Sequence, residues 1–155
     1  MRRIIALILA LGMLPVVFLV ATSSDDAQAS TVVHPAKISK EDTTGRIFER
    51  ENMIRTEKNG NTTLDVTTLL SSDRKFASGM YKSGKTRSEI TEPYGVDEFM
   101  YFIEGGVTLT SVDGSEIIVS AGEAVTIPKE WMGVWDTDGY TKIWVIYSED
   151  GSGLE

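Results

Sequence analysis

The chain of 155 residues carries 15 basic and 23 acidic residues, a formal net charge of −8, with one histidine and no cysteine. That balance argues against nucleic acid or an anionic membrane surface as a partner, since either needs a basic patch. The missing cysteines exclude disulfides, thiolate catalysis, thiolate metal ligands and a lipobox anchor.

Taken in chain order, Met1-Arg2-Arg3 is a short basic head and Ile4 to Ala21 an unbroken apolar run containing Pro15. A polar stretch follows and closes on Ala27-Gln28-Ala29, the small-x-small pattern of a signal-peptidase site. Residues 1–29 read as a signal peptide cleaved after Ala29, which sends the mature chain to the periplasm or the medium. The apolar run is close to the roughly 20 residues that span a bilayer, so an uncleaved anchor is the alternative. The Ala-x-Ala site and helix-weakening Pro15 favour cleavage. Two Arg and two Asp leave with the leader, so the mature chain keeps its charge. With no disulfide, it has to be held by one apolar core.

Residues 30–63 read as an N-terminal arm, partly disordered: 30–45 are polar and aperiodic, and 46–63 are charged. His34 lies in this arm and reads as a solvated residue. The arm ends in Lys58-Asn59-Gly60-Asn61, a strong turn signal. Asn61-Thr62-Thr63 matches the glycosylation acceptor pattern, a chance match behind a bacterial-looking leader.

Residues 64–150 form the predicted domain. Short alternating runs mark strands at 65–70, 75–82, 86–91, 98–104, 107–112, 115–120, 123–127 and 141–147. Asp113-Gly114 reads as a two-residue hairpin turn with both residues at positive φ; Gly105-Gly106 and Ala121-Gly122 punctuate similarly. No segment after residue 63 sustains a 3.6-residue apolar period, so helix content is expected to be low. Many short, closely spaced strands imply a sandwich or jelly roll. Residues 151–155 read as a flexible tail.

Four motifs in order carry a resemblance: Phe76-Ala-Ser-Gly79-Met-Tyr81, Asp97-Glu98-Phe99-Met-Tyr101-Phe-Ile-Glu-Gly105, Ala121-Gly122-Glu-Ala-Val-Thr-Ile-Pro128, and Pro128-Lys-Glu-Trp131-Met-Gly133-Val-Trp135 with Thr141-Lys142 beyond it. Over about residues 73–148 the chain resembles the cupin superfamily (RmlC-like), nearest to ureidoglycine-aminohydrolase-like cupin domains. The resemblance implies an all-β, cupin-type double-stranded β-helix (jelly roll), preceded by the signal peptide and flexible arm. In metal-binding cupins the first motif supplies two histidines ahead of its glutamate and the second a third. Those positions fall here at Glu92 and Tyr94 (or Thr91 and Pro93) and at Gly133, and none is histidine. The resemblance therefore implies a cupin with no metal ligands and no cofactor, and the metal-dependent aminohydrolase activity does not carry over. An oxygen-only site from Glu89, Glu92 and Glu98 is the alternative to solvated strand-edge carboxylates.

Strand alternation places Met100 and Phe102 on the face of Glu98. A carboxyl among Met, Phe and Trp side chains is desolvated and suits acid–base work near neutral pH, or else is a structural acceptor for Arg87 or Lys142. Trp131, Gly133 and Trp135 share a face on an extended strand, and Gly133 in place of a histidine is expected to leave space beside two indoles. Plain core packing is the alternative. Arg87 can grip a carboxylate as a bidentate fork.

The leading expectation is a small-molecule-binding module, independent of metal, with ligand contacts from Glu98, Met100, Trp131, Trp135, Lys142 and Arg87. The second is a metal-independent isomerase, lyase or hydrolase with Glu98, Tyr94 and Lys142 as catalytic groups. The third is a structural, partner-binding domain; the resemblance implies a homodimer paired through its sheets. The partners expected are a small-molecule ligand and a second copy of the chain, with no nucleic acid and no membrane after cleavage.

Overall fold

Period-two burial runs through the second half of the chain and organises the whole molecule. Along residues 98–102 the side chains of Glu98, Met100 and Phe102 are buried while Phe99 and Tyr101 are exposed, as an antiparallel sheet with one packed face requires. The computed structural model describes residues 32–154. The expected leader and its cleavage after Ala29 lie outside the described residues.

Among the described residues there are eight strands: β1 Ile54–Lys58, β2 Asn61–Leu70, β3 Phe76–Ser83, β4 Thr86–Ile90, β5 Asp97–Ser111, β6 Glu116–Ser120, β7 Ala124–Ile127 and β8 Gly133–Tyr147. Every pairing is antiparallel, in the order β1-β2-β3-β8-β5-β6, with β4 added to β8 and β7 to β5. The two 15-residue strands β5 and β8 pair along their length and belong to both halves of the molecule. Their outer halves, 97–102 and 140–147, extend the β2-β3 side; their inner halves, 106–111 and 133–137, carry β4 and β6. This is the all-β arrangement of a cupin jelly roll.

The glycine expected to end a strand instead bends one. Gly105 lies inside β5, between two register shifts, at φ +67°, and a Cβ there would stand 1.9 Å from the Gly139 carbonyl oxygen. Only a residue without a side chain tolerates both that dihedral and that approach, so β5 turns the corner between the halves without breaking. The two-residue hairpin also sits elsewhere. Asn59 and Gly60 both have positive φ, and Lys58 pairs with Asn61, the type I′ geometry. At Asp113-Gly114 only Gly114 has positive φ. There the Gly114 N–H donates to the Ser111 carbonyl, and the Ser111 N–H to the Ser115 carbonyl. The loop is therefore the three-residue type with one left-handed glycine, and the Asp113 carboxylate accepts from the Ser115 N–H and hydroxyl.

The segment expected to be an aperiodic arm is structured from Lys40 onward. It forms α1, Lys40–Thr43, then a 3-10 turn over Arg46–Glu49, then β1. Ser39 and Asp42 make a reciprocal capping box. Fully buried Ile47 packs with Val66 and Met80, joined by Ile38, Phe48, Met53 and Ile143, on the outer face of the β2-β3-β8 sheet. The hydrophobic residues are too sparse for a periodic signal; only the sheet face they cover makes them a cap. The tail likewise folds back, with Leu154 8% exposed against Ala77 and Trp144. His34 is exposed.

Between the sheets, one end is filled by Met100, Phe102, Val107, Leu109, Val119, Ile127, Trp135 and Tyr140. Trp135 is 7% exposed within that cluster. Its truncation to alanine is expected to cost about 3–5 kcal/mol of unfolding free energy, measured by urea denaturation; a loss under about 1 kcal/mol would contradict its place in the core.

Candidate functional site

The other end of the barrel holds a cavity of about 280 Å³, lined from β2, β3, β5 and β8 and from the returning tail. Its floor is a buried ion pair. Glu98 and Lys142 are 3% and 5% exposed, and the Lys142 Nζ lies 2.6 Å from Glu98 Oε1. The β5–β8 register sets Phe102 opposite Lys142 and Glu98 opposite Ile146, so the lysine stem runs along β8 toward Ile146 to reach the carboxylate. The Tyr94 hydroxyl donates to the other oxygen, Glu98 Oε2, at 2.5 Å. Lys142 also approaches Met100 Sδ at 2.9 Å. Its ammonium stands 5.2, 5.6 and 5.8 Å from the ring centres of Trp135, Tyr81 and Tyr140, within cation–π range.

Tyr94 is positioned by the loop that precedes β5. Its N–H donates to the Trp131 carbonyl, the Gly95 N–H donates to the Lys129 carbonyl, and Asp97 accepts from the Lys129 N–H. The Trp131 ring packs edge-on against Tyr94, and its indole N–H donates to the Ser111 hydroxyl. Burial first, then the Glu98 charge, pushes the Tyr94 phenol far above its usual range; Tyr140 is raised by burial, then by Tyr81 and Glu98. Both stay protonated at any physiological pH, so Tyr94 is a fixed donor.

The wall opposite is built on a glycine. Gly79 of β3 pairs with Trp144 of β8, and a Cβ at Gly79 would fall 2.5 Å from the indole ring. The missing side chain lets the Trp144 ring lie across β3 and aim its N–H at Asp65 Oδ1, 3.2 Å away. Asp65 is half-buried, and burial is the largest influence on it, raising its pKa above the ordinary carboxylate value against weaker lowering by Trp144 and Lys142. Tyr81, raised likewise by burial, completes this side.

Of the expected catalytic groups, the structure brings Glu98, Tyr94 and Lys142 together. The expected ligand contacts separate. Met100 and Trp135 are core residues beneath the ion pair, and Trp131 supports Tyr94 from behind; none of the three lines the cavity. Arg87 is exposed on β4 and pairs with Asp136 at 2.7 Å, so it takes no part. The space expected at Gly133 is absent, because a Cβ there would meet the Thr110 carbonyl at 2.2 Å and the Trp131 ring at 2.9 Å. Sequence reasoning missed Asp65 and Trp144. The alternation Asp65-Val66-Thr67, with Val66 buried outward, is the signal that assigns Asp65 to the inner face.

The fold's usual transition metal has no matching donor set here. Glu92 is exposed, Tyr94 is bound to Glu98, Gly133 offers no donor, and both Glu98 oxygens are engaged, one of them by an ammonium. Such residues do not fit a site that wants imidazole nitrogens. Glu89 and Glu92 are exposed while Glu98 is buried, so the oxygen-only cluster does not assemble. Among the described residues no group of three or more His, Cys, Asp or Glu side chains is placed to hold a metal ion.

Comparison with known proteins agrees with this architecture. Residues 72–142 match the family model described as the EutQ-like cupin domain, so this stretch is a cupin domain. A search of curated proteins finds no match. Among solved structures, the EutQ protein of Clostridium difficile is similar with a TM-score of 0.51 and 23% identity, over 62% of this chain and 77% of that one. Ectoine synthase from P. lautus is similar with a TM-score of 0.53 and 16% identity, over 66% and 72%. A Pseudomonas syringae pv. tomato protein of unknown function gives 0.55 and 17%, over 61% of this chain but 43% of that one. At these identities the likeness shows the fold.

Removing one partner of a buried ion pair strands the other charge. Lys142→Met is therefore expected to lose about 3–5 kcal/mol in urea unfolding, and the Lys142→Met/Glu98→Gln double variant to recover much of it. Asp65→Asn keeps the acceptor for Trp144 and removes the buried charge. Because the folded pKa of Asp65 is raised, its protonated state adds stability that is complete below the unfolded value and lost as pH rises through the folded one. The Asn variant is thus expected to be more stable than wild type at pH 7, the difference closing as the pH falls toward 3.8, followed by thermal unfolding across that range.

Proposed function

We propose that this cupin-domain protein binds a small molecule between its sheets, without a transition metal, in the cavity above Glu98, Lys142 and Tyr94. One observation carries the reading: the interior is filled by its own side chains at one end, while at the other a cavity of about 280 Å³ exposes polar groups from four strands. A concave apolar site with a few convergent polar groups is the usual form of a ligand site, and its size suits a small ligand. The likeness to ureidoglycine-aminohydrolase-like domains and the expected export after cleavage at Ala29 belong to the same proposal. Intact mass of the protein from the cell envelope, starting at Ser30, tests the export.

A second reading has its own support, since Tyr94, Glu98 and Lys142 form one connected proton-carrying chain. On that reading the trio is an acid–base relay of a metal-independent isomerase, lyase or hydrolase. Binding is favoured because both Glu98 oxygens are already engaged and the tyrosine is held protonated, so no group of the trio is poised as a base.

The test is a fragment screen of the full chain by thermal shift, with the indole N–H resonance of Trp144 as a local reporter. A fragment at 100 times its Kd adds about 2.7 kcal/mol. Hits are expected to shift Trp144 and leave Trp131 unmoved. A library that stabilises the protein without moving Trp144 would place binding elsewhere. For the enzymatic reading, Glu98→Gln would abolish turnover of a bound compound while leaving its affinity within a few fold.

A further inference from the structure

Two carboxylates and one ammonium line the cavity: Asp65, Glu98 and Lys142. Two of them cancel, the 2.6 Å pair of Glu98 and Lys142. Asp65 forms no ion pair among the described residues, and its side-chain donor is the neutral Trp144 indole. The cavity therefore carries one uncompensated negative charge in a partly desolvated place. Burying an unpaired carboxylate is unfavourable unless something returns the lost solvation. Resting stability gains nothing from such an arrangement; a ligand that brings the missing charge does.

The barrel already contains a worked instance of the chemistry needed. The Lys142 ammonium is buried by one carboxylate and three aromatic faces, Trp135, Tyr81 and Tyr140. The same cavity also holds the Asp65 carboxylate, the Trp144 indole that Gly79 allows to lie across the wall, and Tyr81. Ala77, Ile146 and Leu154 add a hydrocarbon lining, which suits an alkyl group attached to the charge. The volume equals about nine waters of liquid, room for a few carbons and one charged head. An anion finds no counterpart, because Lys142 is already held by Glu98.

On these grounds we infer that the cavity takes a small organic ammonium, its charge against Asp65 and its alkyl part between Trp144 and Leu154. The inference rests on the binding reading above and narrows it to one ligand class.

Four probes of matched carbon skeleton test it on the full chain: n-butylammonium, butyltrimethylammonium, butyrate and 1-butanol, each at constant ionic strength with sodium chloride as control. Either ammonium is expected to raise the Tm in a saturable manner and to move the Trp144 indole resonance. Butyrate is expected to do neither, and 1-butanol to bind at least tenfold more weakly. Asp65→Asn, which retains the bond from Trp144, is expected to weaken ammonium binding at least tenfold while its own unfolding remains cooperative. Ammonium binding that survives Asp65→Asn unchanged would overturn the inference. So would butyrate or 1-butanol binding as tightly at Trp144, although that result would leave the pocket itself supported. If none of the four moves Trp144 and a broad fragment library also fails to, both the ligand class and the binding reading fall.

Discussion

The structure depends on a charge pair placed where water is nearly excluded. Taking Glu98 and Lys142 out of solvent costs several kcal/mol per ion, and their attraction offsets this only if the geometry is good and the remaining atoms are satisfied. Here it is: the second carboxylate oxygen takes the Tyr94 hydroxyl, and the ammonium is ringed by aromatic faces. The cation that meets the central glutamate is covalently part of the chain. It fixes the floor of the cavity and engages one Glu98 oxygen while Tyr94 engages the other.

The strands that deliver the pair are the same ones that join the two halves of the fold. β5 brings Glu98 and β8 brings Lys142, and their mutual register sets the reach of the lysine. Gly105 lets β5 turn the corner against Gly139, so a backbone feature outside the cavity governs where the ion pair falls. Gly79 works by a different route. It yields space to the Trp144 ring, and that ring in turn is what aims a donor at Asp65. The outer face of the same sheet is closed by Ile47 and its neighbours from the N-terminal segment, which allows β2 and β3 to carry polar residues inward without losing the apolar contact that holds them.

Much of the site could be read from residue order. Period-two alternation put Glu98, Met100 and Phe102 on one inward face, and Lys142 was one of two cations offered as partner to the glutamate. The choice between Lys142 and Arg87 was not legible, because it turns on which strand lies beside β5: Lys142 is on the strand that pairs with it, whereas Arg87 is on β4, at the outer edge, bound to Asp136. The tryptophans misled for a related reason. Spacing put Trp131 and Trp135 on one face of an extended strand, but β8 begins only at Gly133, so Trp131 leaves that face and backs Tyr94.

What the sequence by itself determined was the class of fold, the inward glutamate, the lack of imidazole at the motif positions and the turns at Asn59-Gly60 and Gly122, since each rests on local dihedral preference or two-residue periodicity. What only the tertiary structure decided was which cation met the glutamate, that residues 40–53 and Leu154 pack rather than trail, and that Asp65 meets the Trp144 indole and, among the described residues, no counter-ion. Those outcomes depend on contacts between residues as far apart as Asp65 and Trp144. Strand order and register create such contacts, and no local pattern in the chain encodes them.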